Sequence, residues 1–216
     1  MNCKKGNAAP HEPSHARLDR FEMLHPEGRK LIHNWFHRGW AIHDASGEDC
    51  FELFIYAWFA VNGWAACVTQ ADGDRVYLDG LTRDATLCET FQALLNKPTS
   101  GLAREASAFA ELWPIFAGKN LRSLHIHRHN SGERHEVIAD YLAAGATKFE
   151  PQYWEQHRNA GETVPLDWPH TLSAIYHVRC NLFHREKFAH SEMDQRVVSA
   201  AFRTLICFFY EAHYLD

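Results

Sequence analysis

The chain has 216 residues and a mass of 24.9 kDa; 46% of its residues are hydrophobic, 23% charged and 13% aromatic. That length suits one domain with extensions, and so aromatic a composition excludes disorder over most of the chain. The net charge of −5 excludes a protein that coats nucleic acid with its whole surface, so any such contact is local. With 16 histidines, the net charge rises steeply as pH falls through about 6.5.

Residues 1–16 are polar, with Lys4, Lys5, Pro10 and Pro13, and read as a disordered tail without the apolar stretch of a signal peptide. A helical extension over residues 17–47 is expected next. Pro26 opens a helix to about Arg38, with Leu31, Ile32, Trp35 and Phe36 at helical spacing, and residues 39–47 form a connector. Residues 48–69 are apolar on most sides, as in a helix at the middle of a bundle. Their longest greasy run, Leu53 to Val61, is nine residues, short of the ~20 that a membrane span needs.

Asp72-Gly73 and Asp79-Gly80 bracket a turn-rich segment. A helix over 84–96 follows, stopped by Pro98. Ser100 caps another whose face carries Leu102, Ala106, Phe109, Leu112 and Phe116, kinked or shortened by Pro114. Residues 121–127 alternate like a short strand, and 133–144 form a helix ended by Gly145. Residues 149–165 read as loop. Asp167, Trp168 and Pro169 start a helix that runs to about Phe183, and a last helix covers 194–213. Six or seven helices with few strand signals predict an all-α bundle in a single domain over 17–216. Six scattered cysteines without a C-x-x-C pair read as reduced thiols, so a soluble cytoplasmic protein with no membrane partner is expected.

The sharpest local feature is the string Tyr176 to His184, which contains Arg179, Cys180, Asn181, Leu182, Phe183 and His184 ahead of a polar turn and the final helix. An Arg-x4-His at the end of a penultimate helix, with Asn beside the Arg, resembles the HEPN superfamily, toxin-like members included. The likeness extends over roughly residues 48–70 and 165–213. It implies a HEPN-like antiparallel helical bundle that forms a homodimer, with additional N-terminal and middle helices. It implies a metal-independent endoribonuclease with no cofactor, in which two motifs build one composite site across the dimer. Arg179 would hold the scissile phosphate, His184 would be the general acid or base, and Asn181 would orient them. The ribose 2′-OH would attack phosphorus, leaving a 2′,3′-cyclic phosphate and a 5′-OH. RNA is the implied substrate or ligand, and an antitoxin or regulatory protein is a further implied partner in a toxin or defence role. The alternative is a HEPN-like scaffold that binds nucleotide, RNA or protein without cutting.

The residue types suit this chemistry. A guanidinium forks two hydrogen bonds to phosphate and stays charged, and an imidazole with pKa near 6.5 moves protons at neutral pH. On a continuous helix, five residues at ~100° put Arg179 and His184 about 140° apart. Either the helix ends near Phe183, or the pairing that matters is between subunits. His177, Asn181 and His184 share a stripe, and Arg185 and Lys187 are further candidate phosphate contacts. Arg185 stands where many relatives carry Gly. Glu186 stands where some toxins carry a modifiable Tyr, so that mode of regulation does not transfer.

Two other clusters compete. His125, His127 and His129 at alternate positions would share one face of a strand as metal ligands, or form a solvated basic loop with Arg128, Arg134 and His135. His33 and His37 lack the Glu of a His-Glu-x-x-His motif and read as surface histidines. Neither adds a metal site to the expectation.

Overall fold

The computed structural model describes residues 16–41, 49–71, 73–126, 134–183 and 191–215. Those residues are overwhelmingly helical, and the fold class is all-α. The tail expected over 1–16 and the connector expected over 39–47 lie mostly outside the described residues.

Helix α1 (Pro26–Trp40) starts on Pro26, whose missing N–H costs nothing in a first turn, and the His25 ring accepts the Glu27 backbone N–H. Its Ile32 and Phe36 are buried against α2 (Asp49–Thr69). Ahead of α1, a 3-10 turn at Leu18–Phe21 is pinned to the end of α2, because the Arg17 N–H donates to Val68 O at 2.9 Å. The described part of the N-terminal extension thus packs on the bundle. Eleven of the 21 residues of α2 are buried, and α1, α3 and α10 pack around it. By length and composition alone α2 would cross a membrane, a test that core helices of soluble proteins also pass.

α3 (Asp74–Arg83) and α4 (Ala85–Asn96) follow; the Asp84 carboxylate caps α4 by accepting the Leu87 N–H at 3.0 Å. α5 (Leu102–Ala110) lies against α10 (Glu192–Glu211), which Ser191 caps, and α9 (Trp168–Phe183) against α3, α4 and α10. Asp167 opens α9 by accepting the His170 N–H at 2.8 Å. The junction is aromatic: the Trp168 ring lies 4.4 Å from Phe208 and 5.7 Å from Phe91, and its indole N–H donates to Leu81 O at 3.0 Å.

A smaller cluster forms beside this core. Strands β1 (Ile115–Phe116) and β2 (Phe149–Glu150) pair antiparallel, with Phe116 opposite Phe149. α6 (Gly118–Ser123) and α7 (Arg134–Ala143) add Leu121, Val137 and Tyr141 to them, and α8 (Tyr153–Asn159) follows β2. Gly145, at φ +89°, closes α7 as the sequence predicts.

Four expectations are corrected. Residues 121–123 are helical, not a strand, because β1 already pairs with β2 and Leu121 is buried from a helical turn. Asp79-Gly80 lies inside α3, where burial of Tyr77, Leu78 and Leu81 outweighs the roughly 1 kcal/mol helix cost of Gly. α5 stops at Ala110, the shortening expected from Pro114, but Leu112 then follows the helix and Phe116 sits in β1, not on the helix face; the residue before Pro114 is driven out of helical space. Residues 149–165 hold β2 and α8, not only loop. These short elements bring the described helices to ten, against the six or seven expected.

Asn181 ties the two clusters together. Its amide donates to Phe116 O at 2.8 Å and accepts from the Gly118 N–H at 2.9 Å, with the side chain only 4% exposed. Asn181→Leu fills similar space but leaves both backbone groups buried without partners, each costing about 1–3 kcal/mol. We expect a total loss of about 2–4 kcal/mol by urea denaturation. A loss below about 0.5 kcal/mol would show that water takes over both bonds.

Candidate functional site

The Arg179 side chain leaves the last turn of α9 toward the start of α3. Its Nη2 donates to Asp74 Oδ2 at 2.7 Å, with the two side chains 20% and 31% exposed. The guanidinium lies 4.6 Å from the Phe183 ring centroid and 5.8 Å from those of Trp58 and Tyr176. α2 supplies Trp58, α3 supplies Asp74, and α9 supplies Tyr176, Arg179 and Phe183, so three helices build this pocket. Arg179 Nε is buried with no hydrogen-bond partner among the described residues. The guanidinium therefore has donor capacity that Asp74 does not use.

Tyr77, one turn beyond Asp74, donates its hydroxyl to Asn62 Oδ1. Burial, and then the Asp74 carboxylate, hold its ionisation well above the ordinary tyrosine range, while Arg179 opposes the shift. Burial pushes the Tyr176 hydroxyl up to about 12, and the Cys180 thiol that shares its hydrogen bond adds to the shift. Both hydroxyls stay neutral at pH 7. Charge in the described pocket thus comes from Arg179 and Asp74, and the two cancel.

The candidate residues divide between two faces of α9. Arg179 points to α2 and α3, whereas Asn181 bonds to the segment joining β1 and α6, so the structure does not bring them together. His177 is half-buried on α9. His184, Arg185 and Lys187 lie outside the described residues. Asp74, Trp58 and Tyr77 are the members that the sequence did not reveal: no local pattern links Asp74 to an Arg far along the chain. The nearest signal is a carboxylate at a helix start, which is common for reasons of the helix dipole alone.

Two faces beside the pocket are aromatic and open. Phe183 is 41% exposed and Phe59 38% exposed, their centroids 6.3 Å apart, and Trp35 lies 5.7 Å beyond Phe59. A cleft of about 920 Å³ elsewhere, between α5, α7, α8 and α10, carries Arg158, Arg196, Arg203, Glu111 and Glu192 on its walls. Its mixed charge favours no polyanion.

The remaining clusters do not converge. His33 and His37 stack with centroids 6.1 Å apart, and His125 and His135 are exposed. His127 and His129 fall outside the described residues. Among the described residues no group of three or more His, Cys, Asp or Glu has the arrangement of a metal site. Cys50, Cys67, Cys88, Cys180 and Cys207 are unbridged, and burial pushes the Cys50 thiol up to about 11.

The raised acids predict alkaline destabilisation. Tyr176 and Cys50 stay neutral in the fold at pH values where the unfolded chain has already ionised, so between about pH 9 and 12 the unfolded chain holds fewer protons. The sign follows: their contribution is whole below about pH 9 and is lost as pH rises through that window. The urea midpoint should fall between about pH 8 and about pH 11, and a constant or rising midpoint contradicts this assignment.

Comparison of the chain with protein-family models, with curated proteins and with solved structures found no match.

Proposed function

We propose that this chain is a HEPN-type endoribonuclease that works as a homodimer without a metal ion, in a toxin or defence role. The observation that carries the reading is a half-buried Arg179, whose Nε has no partner among the described residues, with exposed aromatic rings beside it and five residues before His184. In this reading the Arg179 fork holds the scissile phosphate and gathers the charge of the pentavalent transition state. His184 takes the 2′-OH proton as that oxygen attacks phosphorus; the P–O5′ bond breaks, the leaving 5′ oxygen takes a proton from water, and His184 returns its own to solvent. The products are a 2′,3′-cyclic phosphate and a 5′-OH. Phe183 and Phe59 offer faces on which unstacked bases rest, the usual way single-stranded RNA is gripped. His177, Arg185 and Lys187 are assigned to contacts along the strand.

The test is cleavage of an end-labelled, mixed-sequence RNA in excess EDTA, wild type against His184→Ala. Cutting that resists EDTA, leaves cyclic-phosphate ends and disappears in the variant is the expected result. If two subunits share one site, activity per subunit also collapses on dilution below the dimer dissociation constant; constant activity in a proven monomer refutes the composite site.

One observation favours a second reading. Asp74 neutralises Arg179, and a neutral pocket suits a HEPN-like scaffold that binds RNA, nucleotide or protein without cutting. Retained RNA binding, with no cutting by a confirmed dimer, would decide for the scaffold.

A further inference from the structure

Among the described residues, the anion that Arg179 holds belongs to the protein itself. Asp74 Oδ2 sits 2.7 Å from Nη2, the position and geometry that a phosphate oxygen would take. With Tyr77 and Tyr176 neutral, the closed pocket carries no net charge from its described members and exerts little pull on a polyanion.

Asp74 stands where the fold can release it. It lies in the first turn of α3, after Gly73 at φ +101°, which as N-cap residue has no side chain to cap that end. Gly73, Arg75 and Val76 are exposed, and a Cβ on Gly73 would meet nothing within 4 Å. The rest of the helix is anchored by buried Tyr77, Leu78 and Leu81. First-turn N–H groups have no intrahelical acceptors, and an exposed end that starts on Gly opens at low cost while the anchored turns stay.

We propose that Asp74 is a displaceable internal competitor for the phosphate subsite at Arg179. With the first turn of α3 closed, the carboxylate holds the guanidinium. With that turn lifted, Arg179 offers its fork to an RNA phosphate. A strand that contacts the protein through several phosphates and stacked bases displaces the carboxylate, whereas a single small anion does not. This deepens the ribonuclease reading and rests on it for the identity of the ligand.

The experiment measures fluorescence anisotropy of a labelled, 2′-O-methylated single-stranded RNA at fixed ionic strength in EDTA. The proteins are wild type, Asp74→Asn and Asp74→Ser, each with and without Arg179→Ala. Both Asp74 variants should bind about tenfold more tightly, since a competing charge is gone, and Arg179→Ala should erase that gain. Pyrophosphate should raise the melting temperature of Asp74→Asn and not that of the wild type. Unchanged or weaker binding in the Asp74 variants overturns the proposal, as does a gain that survives Arg179→Ala, which is a general charge effect. Failure of both variants to fold also overturns it, because the pair is then structural.

The two readings fail separately. If wild type cuts RNA through His184 while the Asp74 variants bind no better, only the competitor falls. If the Asp74 variants gain Arg179-dependent binding and nothing cuts, only the ribonuclease falls.

Discussion

In the proposed ribonuclease, Arg179→Ala should lower RNA cleavage in EDTA by about 10²–10³-fold, the loss typical when one preorganised donor to a developing oxyanion is removed. The guanidinium is charged at every working pH, and its planar fork matches two phosphate oxygens. Arg179→Lys keeps the charge and loses the fork, so it should fall between wild type and alanine. The loss of a partly buried, charge-assisted bond costs about 1.5–3 kcal/mol, so the fold should survive, weakened. Single-turnover cleavage, run beside sedimentation and near-UV circular dichroism, separates these effects. A folded Arg179→Ala protein that cuts at the wild-type rate would remove Arg179 from the chemistry. The same residue would then be a helix-end Arg whose task is to hold α3 against α9.

Trp168→Ala should cost about 3–5 kcal/mol, the range for emptying a large aromatic site in a core. Trp168 is 1% exposed at the junction of α4, α9 and α10, and its indole N–H satisfies Leu81 O at the end of α3. Alanine forfeits the ring packing and leaves Leu81 O with only the long bond from the Asp84 N–H, at 3.4 Å. Trp168→Phe restores most of the ring but not the donor, so about 1–2 kcal/mol should remain lost. Urea denaturation of both variants reads the split directly. A loss below about 1 kcal/mol for alanine would mean that neighbouring side chains collapse into the site. Against a typical total of about 5–15 kcal/mol, the alanine change alone leaves the bundle marginal at best.

Those two sites differ in how well the sequence exposed them. Trp168 lies in Asp-Trp-Pro, a helix start written in local chemistry: a carboxylate to accept an early N–H and a Pro that needs none. The long helices α1, α2, α4, α9 and α10 were legible for the same reason. Each is long enough for its buried stripe to repeat, and in the structure Asp84 and Ser191 cap α4 and α10 locally. Arg179 was legible only as a type of residue at a spacing. What surrounds it comes from α2 and α3, and nothing in those segments marks Trp58 or Asp74 as its neighbours.

The short elements escaped because they have no period to show. β1 and β2 are two residues each, and they exist because Phe116 and Phe149 face each other in the small cluster. α6 and α8 are of six and seven residues, below the length at which a helix stands on its own propensity. In α3, a local rule pointed the wrong way: Asp-Gly signals a turn, and burial of three apolar side chains overrode it. Asn181 shows the limit from the other side, since an Asn near an Arg suggests an accessory polar group, and its amide turns out to bridge two backbone segments.

By itself the sequence determined the all-α class, the approximate extents of the long helices and the place of Arg179 on the penultimate one, because caps and hydrophobic periods act over a few neighbouring residues. Only the tertiary structure decided that the N-terminal helix packs on α2, that Asn181 and Arg179 serve opposite faces, and that Asp74 sits on the guanidinium. Those facts depend on which distant surfaces meet, and a contact between distant surfaces leaves no period in either one.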